Sequence, residues 1–166
     1  MAESWTGPRV QWLHRPTERG GRGLRRQGVA ERERALAQAP MFAGLSGRDR
    51  RAIAKITGIV RYREGTPVVK EGARGTVFFV ILEGKAKVVR KGRTLGRLRR
   101  GDFFGEMSLL DGEPRTASVV TEADSTFLTV AARDFHRVLA REPKLSLRML
   151  QVMAGRLRAS ERPLVD

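Results

Sequence analysis

Short β-type runs separated by glycine turns fill the middle of the sequence and restrict its fold more than any other feature. The runs lie at 59–62, 68–69, 77–82, 86–89, 94–98, 117–121 and 125–130. Pairs such as Glu83-Gly84 and Lys91-Gly92 stand between them and favour tight turns. The pattern predicts about eight short antiparallel strands. Because closure hides the edges of a sheet, we expect an antiparallel β-roll, jelly-roll-like, over about 56–131.

Helical patterns flank this region on both sides. Residues 29–38 are rich in Ala, Glu and Arg and predict a helix that ends before Pro40. Ser46 is a candidate N-cap for a second helix that reaches Ala54 or Lys55. On the C-terminal side, apolar residues at helical spacing predict a pair of helices over about 132–162, with an apolar face along 145–157. The predicted fold class is mainly β with flanking helices.

The first 28 residues differ in character from the rest of the chain. Residues 1–28 contain glycines and scattered arginines but no sustained apolar period, which predicts a flexible basic leader. Trp5 and Trp12 are the largest apolar side chains in it. Residues 29–166 are then predicted to form one domain, long enough to bury a core without disulfide bonds.

Several classes of function are disfavoured by composition. Cysteine is absent and the two histidines, His14 and His136, stand apart, so we predict no metal site and no cofactor. Ser108, Ser118 and His136 have no triad context, and we therefore expect no enzymatic activity. The sequence also lacks a signal-peptide pattern and an apolar run that could span a bilayer, which predicts a cytoplasmic chain without a membrane span.

The net charge of +15 and the pI of about 11.6 raise the question of nucleic-acid binding. The arginines are spread along the chain, as on solvated surfaces, and one Tyr and two Trp provide few platforms for base stacking. We therefore predict no specific nucleic-acid partner. Weak, salt-dependent binding through the basic surface remains an alternative.

Residues 104–119 combine the groups needed to hold a small anion. Gly105 allows close approach of the backbone, Glu106 places a carboxylate on the following turn, and Arg115 supplies a bidentate donor. Between them, 107–110 predict one helical turn whose free N–H groups would point at a phosphate. The stretch is suited to a phosphate together with a hydroxyl-bearing sugar.

A purely structural explanation exists for each charged residue taken alone. Arg115 would form an ion pair with Glu113 or Asp111, and Glu106 would cap the short helix. The joint spacing of these residues, just before a predicted strand, favours a pocket.

Gly105-Glu106, followed by Pro114-Arg115-Thr116-Ala117, resembles the phosphate-binding cassette of cyclic nucleotide-binding domains. Such domains occur in catabolite activator proteins, regulatory subunits of protein kinase A and cyclic nucleotide-gated channels. The resemblance covers roughly 40–160. It implies a β-roll with flanking helices and a cyclic AMP or cyclic GMP ligand.

The resemblance also implies roles for single residues. Arg115 would pair with the cyclic phosphate, and Glu106 would accept a hydrogen bond from the ribose 2′-hydroxyl. Backbone N–H groups of Gly105, Met107 and Ser108 would complete the cradle. Val88 would pack against the sugar or base.

Two further residues bear on the base and on the final helix. The Thr116 hydroxyl would reach a guanine amino group, which allows cyclic GMP, although the resemblance favours cyclic AMP. The final helix resembles a lid that closes over the base, and Arg156 aligns with a lid position that touches the purine. The alternative for Arg156 is a solvent-exposed helix face.

We therefore expect a non-catalytic receptor whose C-terminal helix moves when a cyclic nucleotide binds. Its partners would be the nucleotide and either a protein effector or a second copy of the chain, bound through the C-terminal helix. The competing hypothesis is a degenerate fold that serves as a protein-interaction platform and binds no ligand.

Overall fold

The computed structural model describes residues 22–161 of the chain. Residues 1–21 of the leader predicted over 1–28, with Trp5 and Trp12, lie outside the described residues. Helix α1 spans Arg22–Gln38 and so begins seven residues before the predicted start at Val29. Residues 22–28, predicted as leader, belong to this helix instead. The Arg, Leu and Gln residues between Gly23 and Gly28 are good helix formers, which explains the earlier start.

Two short helical elements connect α1 to the strands. A 3-10 helix covers Pro40–Phe42, and helix α2 covers Gly47–Ile56. The Ser46 hydroxyl accepts a hydrogen bond of 3.1 Å from the backbone N–H of Asp49, so Ser46 is the N-cap that the sequence predicted.

Eight strands follow within the described residues and form two antiparallel sheets of four strands each. The strands are β1 Thr57–Tyr62, β2 Pro67–Val69, β3 Val77–Glu83, β4 Lys85–Arg90, β5 Arg93–Arg99, β6 Phe103–Phe104, β7 Ser118–Thr121 and β8 Ser125–Ala131. One sheet has the order β1-β8-β3-β6 and the other β2-β7-β4-β5. The predicted antiparallel roll is therefore confirmed. Strand β6 was not among the predicted runs.

Strand β3 explains how the roll is attached to the helices. Phe79 and Ile81 pack between the two sheets, against Phe127 among others. Phe78 and Val80 point to the opposite face, where α2, α4 and α5 supply buried side chains. Because both faces of β3 are buried, the strand reads as a continuous apolar run and not as an alternating one.

Three helices complete the described fold: α3 Glu106–Asp111, α4 Ala132–Arg141 and α5 Pro143–Glu161. Helix α5 buries Leu145 and Met149, whereas Leu147, Leu150 and Leu157 are exposed. The predicted apolar face of α5 is thus split between a buried stripe and an exposed one. Among the helices of residues 22–161, none has the length and apolar character required to cross a bilayer.

Candidate functional site

A cavity of about 210 Å³ lies between α3 and side chains of the second sheet. All eight residues that the sequence predicted for a site line it: Val88, Gly105, Glu106, Met107, Ser108, Arg115, Thr116 and Arg156. They come from β4, from the segment 105–116 and from α5. The structure therefore brings together residues that are up to 68 positions apart, from Val88 to Arg156.

Arg115 is held in place by the backbone. Its Nη1 donates a hydrogen bond of 2.8 Å to the carbonyl oxygen of Gly105, and its Nη2 donates one of 2.6 Å to that of Val77. The side chain is buried, and burial lowers the pKa of the guanidinium while the charge of Glu106 acts in the opposite direction. These contacts differ from the predicted alternative of an ion pair with Glu113 or Asp111.

Two glycines provide the space in which this guanidinium lies. Gly105, the N-cap of α3, has a φ of 89°, and a Cβ on it would lie 2.7 Å from Nη1 of Arg115. A Cβ on Gly75 would lie 2.8 Å from Cζ of the same side chain. Both distances are shorter than side chains tolerate, so the position of Arg115 depends on glycine at both sites.

Glu106 is the first residue of α3 and is buried in the wall of the cavity. Its Oε1 accepts a hydrogen bond of 3.0 Å from Nη1 of Arg156. The carboxylate thus contacts α5, and the N-cap of α3 is Gly105, which makes no side-chain cap. Glu106 thus stands in the first turn of α3, as the interpretation as a helix cap requires, and its carboxylate also forms an ion pair with Arg156.

Arg156 extends from α5 toward the cavity. Besides its contact with Glu106, its Nη2 donates to the carbonyl oxygen of Phe103, and its guanidinium carbon lies 4.7 Å from the centre of the Phe103 ring. Arg156 is therefore not a side chain on a fully solvated helix face. In this structure its contacts are with protein groups at the edge of the cavity.

Other residues of the site could not be identified from the sequence. Apolar side chains complete the cavity wall and belong to Val69, Leu98, Phe104, Ala117 and Val119. Gly75 and the carbonyl of Val77 position Arg115, but a glycine in a Gly-rich turn and a backbone carbonyl look ordinary in a sequence. Only the Gly72–Gly75 spacing, with two glycines in one turn, was available as a sign of close packing.

The other residues considered in the sequence for metal binding or catalysis do not form a site at this cavity within the described residues. Within 22–161 there is no group of three His, Cys, Asp or Glu side chains that could hold a metal ion. The Ser118 hydroxyl accepts a hydrogen bond from the backbone N–H of Glu71, and the His136 ring packs edge-on against Phe135. Neither side chain lines the cavity.

The sequence matches known proteins over the region that contains this cavity. Residues 59–142 match the family model described as cyclic nucleotide-binding domain. The chain is 33% identical over 131 residues to a cGMP-dependent protein kinase of Toxoplasma gondii, a match that covers 79% of this chain and 13% of the kinase. It is 35% identical over 109 residues to a cAMP-dependent protein kinase regulatory subunit of Aspergillus fumigatus, covering 64% of this chain and 26% of that subunit.

The chain thus spans about a quarter or less of the length of these curated relatives. Among solved structures, its fold is similar to that of the catabolite activator protein of Thermus thermophilus. The TM-score is 0.65 and the sequence identity 31%, and the match covers 74% of this chain and 60% of that chain.

Proposed function

The chain belongs to the cyclic nucleotide-binding domain family, and from this premise we propose that it is a non-catalytic receptor for cyclic AMP. The nucleotide would occupy the cavity between β4, α3 and α5. The observation that carries the proposal is that a buried guanidinium, Arg115, and a buried carboxylate, Glu106, both line the wall of one cavity.

Arg115 is suited to bind the cyclic phosphate. A guanidinium has five N–H donors, and the carbonyls of Gly105 and Val77 use two of them. Burial disfavours the charge of Arg115, as the direction of its pKa shift indicates, and an anion in the cavity would relieve that cost. A charge-assisted hydrogen bond of this kind contributes about 1.5 to 3 kcal/mol.

The remaining walls match a nucleoside. Glu106 would accept a hydrogen bond from the ribose 2′-hydroxyl, and the backbone N–H groups of Met107 and Ser108 would face the phosphate. Val88 would pack against the sugar or base. This division into one polar side and one apolar side is usual for small-molecule sites.

Thr116 bears on the choice of base. Its side chain is exposed and lines the cavity, so its hydroxyl is available to a guanine amino group. We propose cyclic AMP as the ligand of higher affinity and cyclic GMP as a second ligand that uses this hydroxyl.

A calorimetric titration tests the proposal. The unchanged chain should release heat with cyclic AMP, and Arg115→Ala should weaken binding by about ten-fold or more. Arg93→Ala removes an exposed arginine that does not line the cavity and should leave affinity unchanged. Negligible heat from the unchanged chain with either nucleotide would favour the ligand-free interaction platform instead.

We further propose that α5 changes its position on the roll when the nucleotide binds. It carries Arg156 at the edge of the cavity and follows α4, whose junction at Glu142-Pro143 can serve as a hinge. Because the sequence has no cysteine, Arg90→Cys and Ala159→Cys allow specific spin labelling of β4 and α5. Cyclic AMP should shift the distance between the labels, and an unchanged distance would refute the movement.

The exposed stripe of α5 supports a protein partner. Leu147, Leu150 and Leu157 are between 58% and 62% exposed and lie on one side of the helix at spacings of three and seven residues. We propose that this stripe binds either an effector or a second copy of the chain. Light scattering with Leu150→Glu separates the two cases, since only a dimer would dissociate in purified protein.

A second candidate function rests on the charge of the β4–β5 hairpin. Lys85 lies directly opposite Arg99, a like-charged pair that destabilises a sheet. Lys87 lies opposite Arg97, which forms an ion pair of 3.1 Å with Glu122. An open groove of about 600 Å³ runs along these side chains. Weak binding of nucleic acid here should vanish at raised salt, and Lys87→Glu should weaken it at low salt while Arg115→Ala does not.

A further inference from the structure

A second cavity lies between helix α1 and strands β1, β3 and β8 of the first sheet. Its volume is about 210 Å³, equal to that of the cavity beside α3, and no residue lines both. The cavity beside α3 is built on strands of the second sheet, so the two cavities belong to different sheets of the roll. We call the second one the α1 cavity, after the helix whose residues Glu31, Arg34, Ala35 and Gln38 line it.

Two polar contacts between α1 and the roll stand at the ends of the α1 cavity. Nη2 of Arg61 donates a hydrogen bond of 3.1 Å to Oε1 of Glu31, and Nη2 of Arg100 donates one of 3.3 Å to Oε1 of Gln38. Glu31 and Gln38 are two helical turns apart and therefore lie on the same face of α1. Arg34 lies on that face between the two contacts and lines the cavity.

The floor of the α1 cavity is apolar. Ile59 of β1 and Leu82 of β3 line it, and both pack against the buried core beneath α1. On the helix side the cavity is lined by Ala35 and Ala39. Because an alanine side chain ends at Cβ, neither residue reaches across the gap to the strands. The space is therefore suited to an apolar group.

The rim of the α1 cavity carries an excess of positive charge. Arg34, Arg61 and Arg100 line it together with Glu31 and Glu83, which gives one net positive charge. Arg61 forms an ion pair with Glu31, whereas neither Arg34 nor Arg100 forms one with a carboxylate among the described side chains. Two guanidinium groups beside an apolar floor favour a ligand with one anionic end and one apolar end.

We propose that the α1 cavity is a second ligand site, which binds a small organic anion with an apolar body and a carboxylate or phosphate group. Arg34 and Arg100 bind the anionic group, and Ile59 and Leu82 contact the apolar body. A volume of about 210 Å³ lies below that of most drug-sized sites, so the ligand is small. The bound ligand joins α1 to the first sheet. The inference goes beyond the proposed function and does not depend on it.

A fluorine NMR titration of the full chain tests the proposal. The probes are para-fluorobenzoate, para-fluorophenyl phosphate and the neutral para-fluorobenzyl alcohol. At least one of the two anions should bind about three-fold or more tightly than the alcohol, because the arginines add a charge-assisted contact. The anion of higher affinity identifies the acidic group. Failure of both anions to bind, or equal affinity for all three probes, would overturn the proposal.

Two variants change the α1 cavity itself. Ala35→Leu should abolish binding of the anions, because the added side chain occupies the space. Arg34→Ala should lower their affinity about three-fold or more and leave that of the alcohol unchanged. Ala37→Leu and Arg48→Ala are the matched controls, since both residues are exposed and neither lines the cavity. Equal affinities in Ala35→Leu and Ala37→Leu would contradict a site at this place.

Arg115→Ala distinguishes the α1 cavity from the cavity beside α3. It should leave binding of the anionic probes unchanged. Loss of binding in Arg115→Ala, together with full binding in Ala35→Leu, would mean that the anions occupy the cavity beside α3, and the proposal would fall. None of these titrations requires a cyclic nucleotide, so a negative result with cyclic AMP would refute the proposed function and leave this inference standing.

Hydrogen exchange measures the connection between α1 and the first sheet. With the anion of higher affinity at saturation, the amides of 31–38 should exchange several-fold more slowly than in the free chain, because the ligand holds α1 against β1 and β3. The same anion should have no effect on these amides in Ala35→Leu. Unchanged exchange in the saturated chain would refute the connection.

Discussion

The carbonyl oxygen of Gly105 accepts a hydrogen bond of 2.8 Å from Nη1 of Arg115. The N-cap residue of α3 therefore also anchors the guanidinium on the cavity wall. This relationship joins backbone geometry to ligand chemistry, because Gly105 holds a φ of 89° that other residues rarely adopt.

Gly105→Ala should damage both stability and binding. The new Cβ would meet Nη1 of Arg115 at 2.7 Å and the Val77 carbonyl oxygen at 2.9 Å, in addition to the strain of the positive φ. We expect a loss of about 2 kcal/mol or more in the free energy of unfolding, measured by urea denaturation. Gly112→Ala is the matched control, since Gly112 has a φ of 76° and open space around it. It should cost about 1 kcal/mol and leave nucleotide binding intact. Equal losses in the two variants would show that contact with Arg115 is unimportant.

Gly75→Ala tests the packing of Arg115 without backbone strain. Gly75 is not among the glycines with positive φ, yet its Cβ would lie 2.6 Å from Cβ of Ser108 and 2.8 Å from Cζ of Arg115. The guanidinium must move, and we expect affinity for cyclic AMP to fall about ten-fold in a calorimetric titration. Gly96→Ala, at a position with nothing within 4 Å, should bind as the unchanged chain does. Normal affinity in Gly75→Ala would mean that the site tolerates a displaced Arg115.

How far the sequence predicts this site depends on the distance between its parts along the chain. Glu106 and Arg115 were predicted because they lie nine positions apart with Gly105 beside them, so one short segment carries their pattern. Gly75 and the Val77 carbonyl reach Arg115 through the pairing of β3 with β6 and through backbone hydrogen bonds of Arg115 with Gly72 and Ala73. That pairing is long-range and leaves no local trace in the sequence.

The same limit applies to Arg156 and to α1. Arg156 was predicted at the cavity, but its contact with Glu106 joins residues 50 positions apart and depends on how α5 docks against the roll. At the other end, the glycines in 20–28 suggested a flexible segment, whereas Arg22–Gln38 forms one helix. The antiparallel roll itself followed from short apolar runs and glycine turns, which are local features.

Thr116→Ala should change the preference between nucleotides. If the hydroxyl forms a hydrogen bond with a guanine amino group, its loss should lower the affinity for cyclic GMP about five-fold, the value of one neutral hydrogen bond. The affinity for cyclic AMP should remain nearly unchanged. Competition titration with both nucleotides measures the ratio. Thr94→Ala, an exposed threonine of β5, provides the control. An equal change for both nucleotides would exclude a role of Thr116 in base selection.

We expect ionisation of Tyr62 to lower the free energy of unfolding at alkaline pH. Burial against the roll, with the Phe127 ring 5.9 Å away, raises the pKa of its phenol above the ordinary value of about 10. The folded state therefore retains the proton more strongly than the unfolded state. This contribution to stability is complete below pH 10 or so and is lost as the pH rises through the folded pKa.

The chain contains a single tyrosine, so ultraviolet absorbance of the phenolate reports Tyr62 alone. The titration midpoint should lie above that of the urea-unfolded chain. Tyr62→Phe should lessen the loss of unfolding free energy above pH 10, by removing the titrating group. Coincident midpoints in the folded and unfolded chains would contradict this assignment.

A crystal structure with cyclic AMP is the most direct measurement of the central claim. The account predicts phosphate oxygens within hydrogen-bond distance of the Arg115 guanidinium and the ribose 2′-hydroxyl on Glu106, in the cavity beside α3. A nucleotide bound elsewhere, or bound here with Arg115 turned away from the phosphate, would contradict it.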